Sequence, residues 1–168
     1  MFRSRRRARA PDAPLSPAEA RIAALRLLTR REYTTAEITA KLLDRGCTAD
    51  VTGDVVAALA RDGLLDDRRA AGAHVRTALR VKARGRHRIA RELERRGIDK
   101  ALTRDLLGDV TPQDEEATIR KILVARRVPA DPDLPTRRKL FQHLLRRGFS
   151  VDAISKVLKG GDEPDPED

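Results

Sequence analysis

Apolar residues recur along this chain at helical spacing, and the whole pattern then returns at a much longer interval. Gly46, Gly97 and Gly148 stand at equal intervals of 51 residues. Each glycine closes an amphipathic run, over residues 41–45, 92–96 and 143–147. The same register aligns Ile38, Ile89 and Leu140, then Leu42, Leu93 and Leu144. Beyond the glycine it aligns Cys47, Ile98 and Phe149, then Thr48, Asp99 and Ser150. Val55, Leu106 and Val157 follow, and after them Val56, Leu107 and Leu158. Repetition at one fixed offset marks a chain built from copies of one supersecondary unit.

Each aligned column has a physical reading. A glycine at the end of an amphipathic run suits the left-handed residue that terminates a helix, where a β-carbon is disfavoured. Thr48, Asp99 and Ser150 are N-caps whose side chains accept a bond from an orphan amide of the next helix. The unit therefore contains helix, tight turn and helix. A further helix precedes each pair. The first starts at the capping box Ser16–Glu19 with Pro17 at the first helical position, and is expected to turn Ile22, Leu25 and Leu28 inward. The second follows Asp66 and Asp67 and buries Ala71, Val75, Ala78 and Leu79. The third starts at Thr111 and Pro112 and buries Ile119, Ile122 and Leu123. Thr34 and Glu37 form a capping box for the second helix of the first copy. The predicted fold is all-α: three tandem three-helix, helix-turn-helix-like repeats, nine helices in an elongated array able to bend at its joints. Repeat 1 spans 15–65, repeat 2 spans 66–110 and repeat 3 spans 111–160. A proline-rich link at 129–135 reads as extended. A basic arm at 1–14 and an acidic tail at 161–168 read as disordered.

Charge narrows the partners. Lys and Arg total 36 against 26 Asp and Glu, a formal net charge of +10 that favours a polyanion or an acidic protein face. The middle repeat concentrates it: residues 68–96 hold eleven Lys or Arg and only two acids, Glu92 and Glu94. Helical spacing puts Arg84, Arg88, Arg91 and Arg95 in one stripe opposite Ile89 and Leu93. Arg69, Arg76 and Arg80 form a second stripe, and the turn between the two helices adds Lys82, Arg86 and His87. Such a band is suited to phosphates or carboxylates. Replacing the four-arginine stripe with alanine is expected to leave the fold intact.

Other chemistry is poorly supplied. A sequence-reading repressor needs cationic or amide side chains at the start of the helix after each turn, and those stretches, 49–54, 100–105 and 151–156, are acidic or near neutral. The chain has no Asn and only Gln113 and Gln142, which nearly removes bidentate adenine readout. With Tyr33, Phe2, Phe141 and Phe149 as its aromatics, it has little for stacking along a single strand. His74, His87 and His143 lack a cysteine at zinc spacing. Cys47 sits in a core column, Asp66 and Asp67 read as helix-capping residues, and Gly85 stands outside any phosphate-cradling loop. No active site, metal or cofactor is expected. The single cysteine and the lack of a membrane-length apolar run lead us to expect a cytoplasmic monomer without membrane contact.

Four stretches resemble the RecX family, the regulators of the RecA recombinase. They are ALRLLTRREYT at 24–34 followed by 37–42, GLLDD at 63–67, GRHRIAREL at 85–93 with Gly97 and Ile98, and LRRGFSVDAI at 145–154. The resemblance covers residues 18–159. It implies the three-repeat helical fold and a non-enzymatic partner of the RecA filament on single-stranded DNA, suppressing ATP hydrolysis and strand exchange. Arg84, Arg88, Arg91 and Arg95, with Arg76, Arg80, Lys82 and Arg86, are the expected contacts. The alternative is a non-specific protein that coats single-stranded DNA. One departure stands out: the family usually has an aromatic before Ala70, where this chain has Arg69.

Overall fold

The computed structural model describes residues 14–159. The expectations for the acidic tail, and for the basic arm apart from Pro14, fall outside this span. Among the described residues there are nine helices and no strand, and the chain divides at Ala70 into two compact units.

The first unit holds α1 (Pro17–Leu28), α2 (Thr35–Leu43) and α3 (Ala49–Arg61). Ser16 and Glu19, and then Thr34 and Glu37, close reciprocal capping boxes, so each helix begins with two amides satisfied by side chains. Gly46 ends the following turn at φ +86°, and the Thr48 side chain accepts the Val51 amide of α3. Ile38, Leu42 and Leu59 are fully buried with Ala20 and Ala24, and Cys47 packs beside them as an apolar thiol. Truncating one of the large members to Ala removes about 2–5 kcal/mol. The inward face of α1 differs from the expected one: Ala20, Ala24 and Leu27 are buried, whereas Ile22 is half exposed. A face built on alanines at i and i+4 allows close approach of neighbouring helices, which a row of branched side chains would hold apart.

α4 (Asp67–Arg80) begins in this unit and fastens it. The Asp66 side chain accepts the Arg69 amide, while Asp67 reaches back to accept the Thr35 amide at 2.6 Å. Arg69 donates to Glu32 and to the Gly63 and Leu64 carbonyls beyond α3. Where an aromatic is usual, this chain thus has a cation tying down a helix end.

The second unit continues α4 and contains α5 (Arg86–Arg95), α6 (Lys100–Gly108), α7 (Pro112–Ala125), α8 (Leu134–Arg147) and α9 (Val151–Lys159). Gly97 and Gly148 adopt positive φ, and Asp99 and Ser150 cap α6 and α9 through their side chains. The proline-rich link is shorter than expected, because Leu134 and Pro135 already belong to α8 and Asp133 caps it.

Two apolar clusters fill this unit, one around Ile89 and Leu93 and one around Leu144, Phe149 and Ile154. A bend between repeats 2 and 3 is not what the structure has. The Gly85 amide donates to the Arg147 carbonyl at 2.9 Å and the His87 amide to the Gly148 carbonyl at 3.0 Å. The buried Glu115 carboxylate accepts the Arg86 amide, the Ser150 amide and the Ser150 hydroxyl. Arg147 returns the contact by donating to the Lys82 and Ala83 carbonyls. The first amides of α5, orphaned by helix geometry, find their acceptors in repeat 3.

Candidate functional site: an arginine-rich face of the second unit

The expected stripes divide on inspection into arginines already engaged and arginines left exposed. Arg84 is not on α5. α4 gives way after Arg80 to a turn in which Ala83 takes φ +45°, and α5 begins only at Arg86. Arg84 thus falls in the loop and folds inward, with its Nη1 bonded to Glu92. Arg88 is on α5 and donates its Nε to the other oxygen of Glu92 at 3.0 Å, with Nη1 toward the Arg146 carbonyl at 3.3 Å. The expectation of one outward stripe of four is therefore corrected, and removing all four would take two donors from the Glu92 carboxylate.

Glu92 is the hub of this arrangement. Its side chain is only 11% exposed and also receives the His74 Nε2 at 3.0 Å. Burial pushes its carboxyl pKa upward, but donation from Arg88, Arg84 and His74 outweighs that and holds it below the ordinary range. Burial acts on His74 in the other direction: it lowers the imidazole pKa, more than the bond to Glu92 raises it, with Arg96 and Lys82 adding repulsion. Neutral His74 beside ionised Glu92 is then a donor to an acceptor.

The remaining predicted contacts are exposed. Arg91 and Arg95 lie along α5, each donating Nε to the carbonyl one turn earlier. Arg76 and Arg80 are exposed on α4, Lys82 in the turn, and Arg86 at the start of α5. None of these six has a carboxylate partner among the described residues. Arg146, exposed at the end of α8, comes to the same surface and walls a recess with Arg88, Arg91 and Arg95. Counting charge within residues 68–96 left it out; the signal available was the second basic run, Arg146 and Arg147, at the matching position of the third repeat. A larger cavity of about 720 Å³ is lined by Val75, Leu79, Leu106, Ile122 and Phe149, with Arg80 and Arg84 also on its wall. Its most buried acid, Glu115, is already engaged in joining the repeats.

Among the described residues, no group of three or more His, Cys, Asp or Glu is placed to hold a metal, and no helix is long and apolar enough to cross a membrane.

Comparison with known proteins gives one consistent result. Residues 20–59, 66–107 and 114–158 match the first, second and third three-helix domains of RecX. The regulatory protein RecX of Halorhodospira halophila is 37% identical over 147 residues, covering 86% of this chain and 89% of its own. That of Mycobacterium leprae is 32% identical over 143 residues, covering 83% and 84%. The crystal structure of RecX from Lactobacillus salivarius superposes with a TM-score of 0.77 at 26% identity, covering 87% of this chain and 96% of that one. Three consecutive domain matches in order, spanning most of a chain whose helices follow the same plan, place this protein in the RecX family of regulatory proteins.

Proposed function

We propose that this chain modulates, chiefly by inhibition, the RecA recombinase, binding the RecA filament on single-stranded DNA and suppressing ATP hydrolysis and strand exchange. Membership of the RecX family supplies the partner. The observation that carries the residue assignment is the set of cations on the second unit without carboxylate partners among the described residues: Arg76, Arg80, Lys82, Arg86, Arg91 and Arg95. Guanidinium groups bond carboxylates and phosphates in a two-pronged fashion, and both kinds of anion are expected on a protein filament that holds a DNA strand. Arg84 and Arg88 contribute indirectly, by neutralising Glu92 and holding the start of α5 in place.

The test is RecA's DNA-dependent ATPase, titrated with this protein in excess single-stranded DNA. Inhibition at a small fraction of the RecA concentration supports action on the filament. Inhibition only at concentrations that coat the DNA, relieved by free DNA and steeply weakened by salt, supports the coating alternative.

A further inference from the structure

Two recesses on the second unit share two of their walls. One is walled by Arg88, Arg91 and Arg95 of α5 and by Arg146 of α8, with Glu94 at its rim, and encloses about 450 Å³. The other, also about 450 Å³, is formed by His87, Arg91, Leu145 and Arg146 above Gly148 and Phe149. Sharing Arg91 and Arg146, they adjoin along the seam where α5 meets the end of α8, and the pair together is called the groove. Backbone bonds from Gly85 and His87 to residues 147 and 148 hold the two walls of this seam together.

The two ends differ in chemistry. At the first, Arg91 and Arg95 spend only Nε on backbone carbonyls, leaving their terminal amino groups without a carboxylate among the described residues. The Arg146 side chain has no hydrogen bond or ion pair there either. Several arginines elsewhere do have a carboxylate, Arg21 with Asp62, Arg31 with Glu37, Arg69 with Glu32 and Arg137 with Asp131, whereas Arg26, Arg30 and Arg45 border a recess of the first unit without one among the described residues. Three guanidiniums without a carboxylate partner among the described residues meet there, and the single acid that also lines the recess, Glu94, leaves a positive surplus complementary to an anion. Arg91 and Arg95 are also one helical turn apart, about 6 Å along the axis, which suits a ligand with repeated charges. At the second end, exposed His87 offers an imidazole face and Leu145 an apolar patch 38% exposed, over a floor closed by Phe149.

An anion site adjoining a recess that offers an imidazole and an apolar side chain fits phosphates joined to an unstacked ring. We propose that this groove binds one nucleotide unit of a single strand, its flanking phosphates on Arg91, Arg95 and Arg146 and its base against His87 and Leu145. A duplex hides the base face, and an acidic peptide fills only the arginine end. The proposal rests on the RecA-filament reading and extends it: the protein touches the strand as well as the protein part of the filament.

The test uses the full chain without RecA, measuring fluorescence anisotropy of a labelled oligothymidylate and of an abasic oligomer of equal length. Arg95→Ala with Arg146→Ala should weaken both oligomers at least tenfold, and lower the slope of log affinity against log salt by about 1.4. Lys100→Ala with Arg104→Ala, exposed cations on α6, removes the same charge and should cost less than threefold. His87→Ala should weaken oligothymidylate several-fold and leave the abasic oligomer unchanged. Thermal melts check that each variant is folded. Equal losses from the two double variants, equal effects of His87→Ala on both oligomers, or displacement of oligothymidylate by polyglutamate at equal charge concentration would each overturn the proposal. RecA inhibition by the same variants separates the two readings. Undiminished inhibition by an Arg95 and Arg146 variant that has lost strand binding removes the groove, and Arg95 with it, from the action on RecA while leaving the filament reading, whereas strand binding in the groove by a protein with no effect on RecA removes the filament reading alone.

Discussion

The second helix of the first repeat and the second helix of the second repeat occupy the same register, yet they start in opposite ways. α2 opens on Thr34, whose hydroxyl accepts the Glu37 amide while Glu37 returns a bond to the Thr34 amide. The residues 51 further on are Gly85 and Arg88, and α5 opens with no side-chain cap. Its amides are satisfied instead by the Arg147 and Gly148 carbonyls and by Glu115. A β-carbon on Gly85 would lie 2.2 Å from the Gly148 carbonyl carbon and the Phe149 nitrogen. A capping side chain at this position would occupy the place where repeat 3 docks. One helix is capped by its own sequence and the other by its neighbour. Both also receive a carboxylate from the first helix of the next repeat, Asp67 for α2 and Glu115 for α5. Asp67 serves one amide, whereas Glu115 serves two amides and a hydroxyl.

The largest effect expected from this difference is at Gly85. Ser is among the best N-caps, and on local grounds Gly85→Ser should stabilise α5 slightly. Docking predicts the reverse. The clash is with backbone, which cannot rotate away, so the second unit should lose more than about 3 kcal/mol in urea unfolding. A more stable Gly85→Ser protein would show that the two repeats do not dock as described. Glu115→Gln comes next. The amide can still accept from Arg86, but its NH₂ then faces the Ser150 amide, donor against donor, at a cost of about 2–3 kcal/mol. Thr34→Ala, at the corresponding position of the first repeat, should cost about 1 kcal/mol and leave the second unit's unfolding unchanged.

The contrast also shows where sequence reasoning reaches and where it stops. The repeat, its glycine turns and its polar caps were legible because each depends on residues within a few positions of one another. Gly46, Gly97 and Gly148 end helices at positive φ, and Thr48, Asp99 and Ser150 cap the helices that follow. Gly85 was set aside as an isolated glycine, although its column already held Thr34; a glycine where a cap belongs was the available signal. Glu115 looked like any acid in the first turn of a helix, and its partner Ser150 lies 35 residues further on. Arg84 kept the helical spacing of Arg88, Arg91 and Arg95, but Ala83, a non-glycine in the left-handed region, ends the turn late and puts Arg84 off the helix. The groove draws on two repeats at once, and only the folded chain brings Arg146 beside Arg91 and Arg95.

The mildest prediction concerns pH, and it too separates the two units. The chain's three histidines, His74, His87 and His143, all fall after Ala70. The pKa of His74 is lowered by burial, by Arg96 and by Lys82, against the opposing pull of Glu92. That of His143 is lowered by burial and by Arg126, Arg147 and Arg146. A histidine whose folded pKa lies below its unfolded value binds protons preferentially in the unfolded chain. Stability is therefore whole above the ordinary value of 6.5 and declines as pH falls from there toward the folded values, below which the loss levels off. Glu92, also lowered, acts further down: its contribution is present above the ordinary 4.5 and is lost as pH falls through its folded value. Amide exchange compared at pH 7.5 and pH 5.5, corrected for intrinsic rates, should show reduced protection in α5 and α8 with α2 and α3 unaffected. His74→Gln can still donate to Glu92 but does not titrate, so it should remove part of the pH response while keeping the arginines of α5 in place. Equal loss of protection in both units would mean that the response comes from net charge and not from these two partly buried rings.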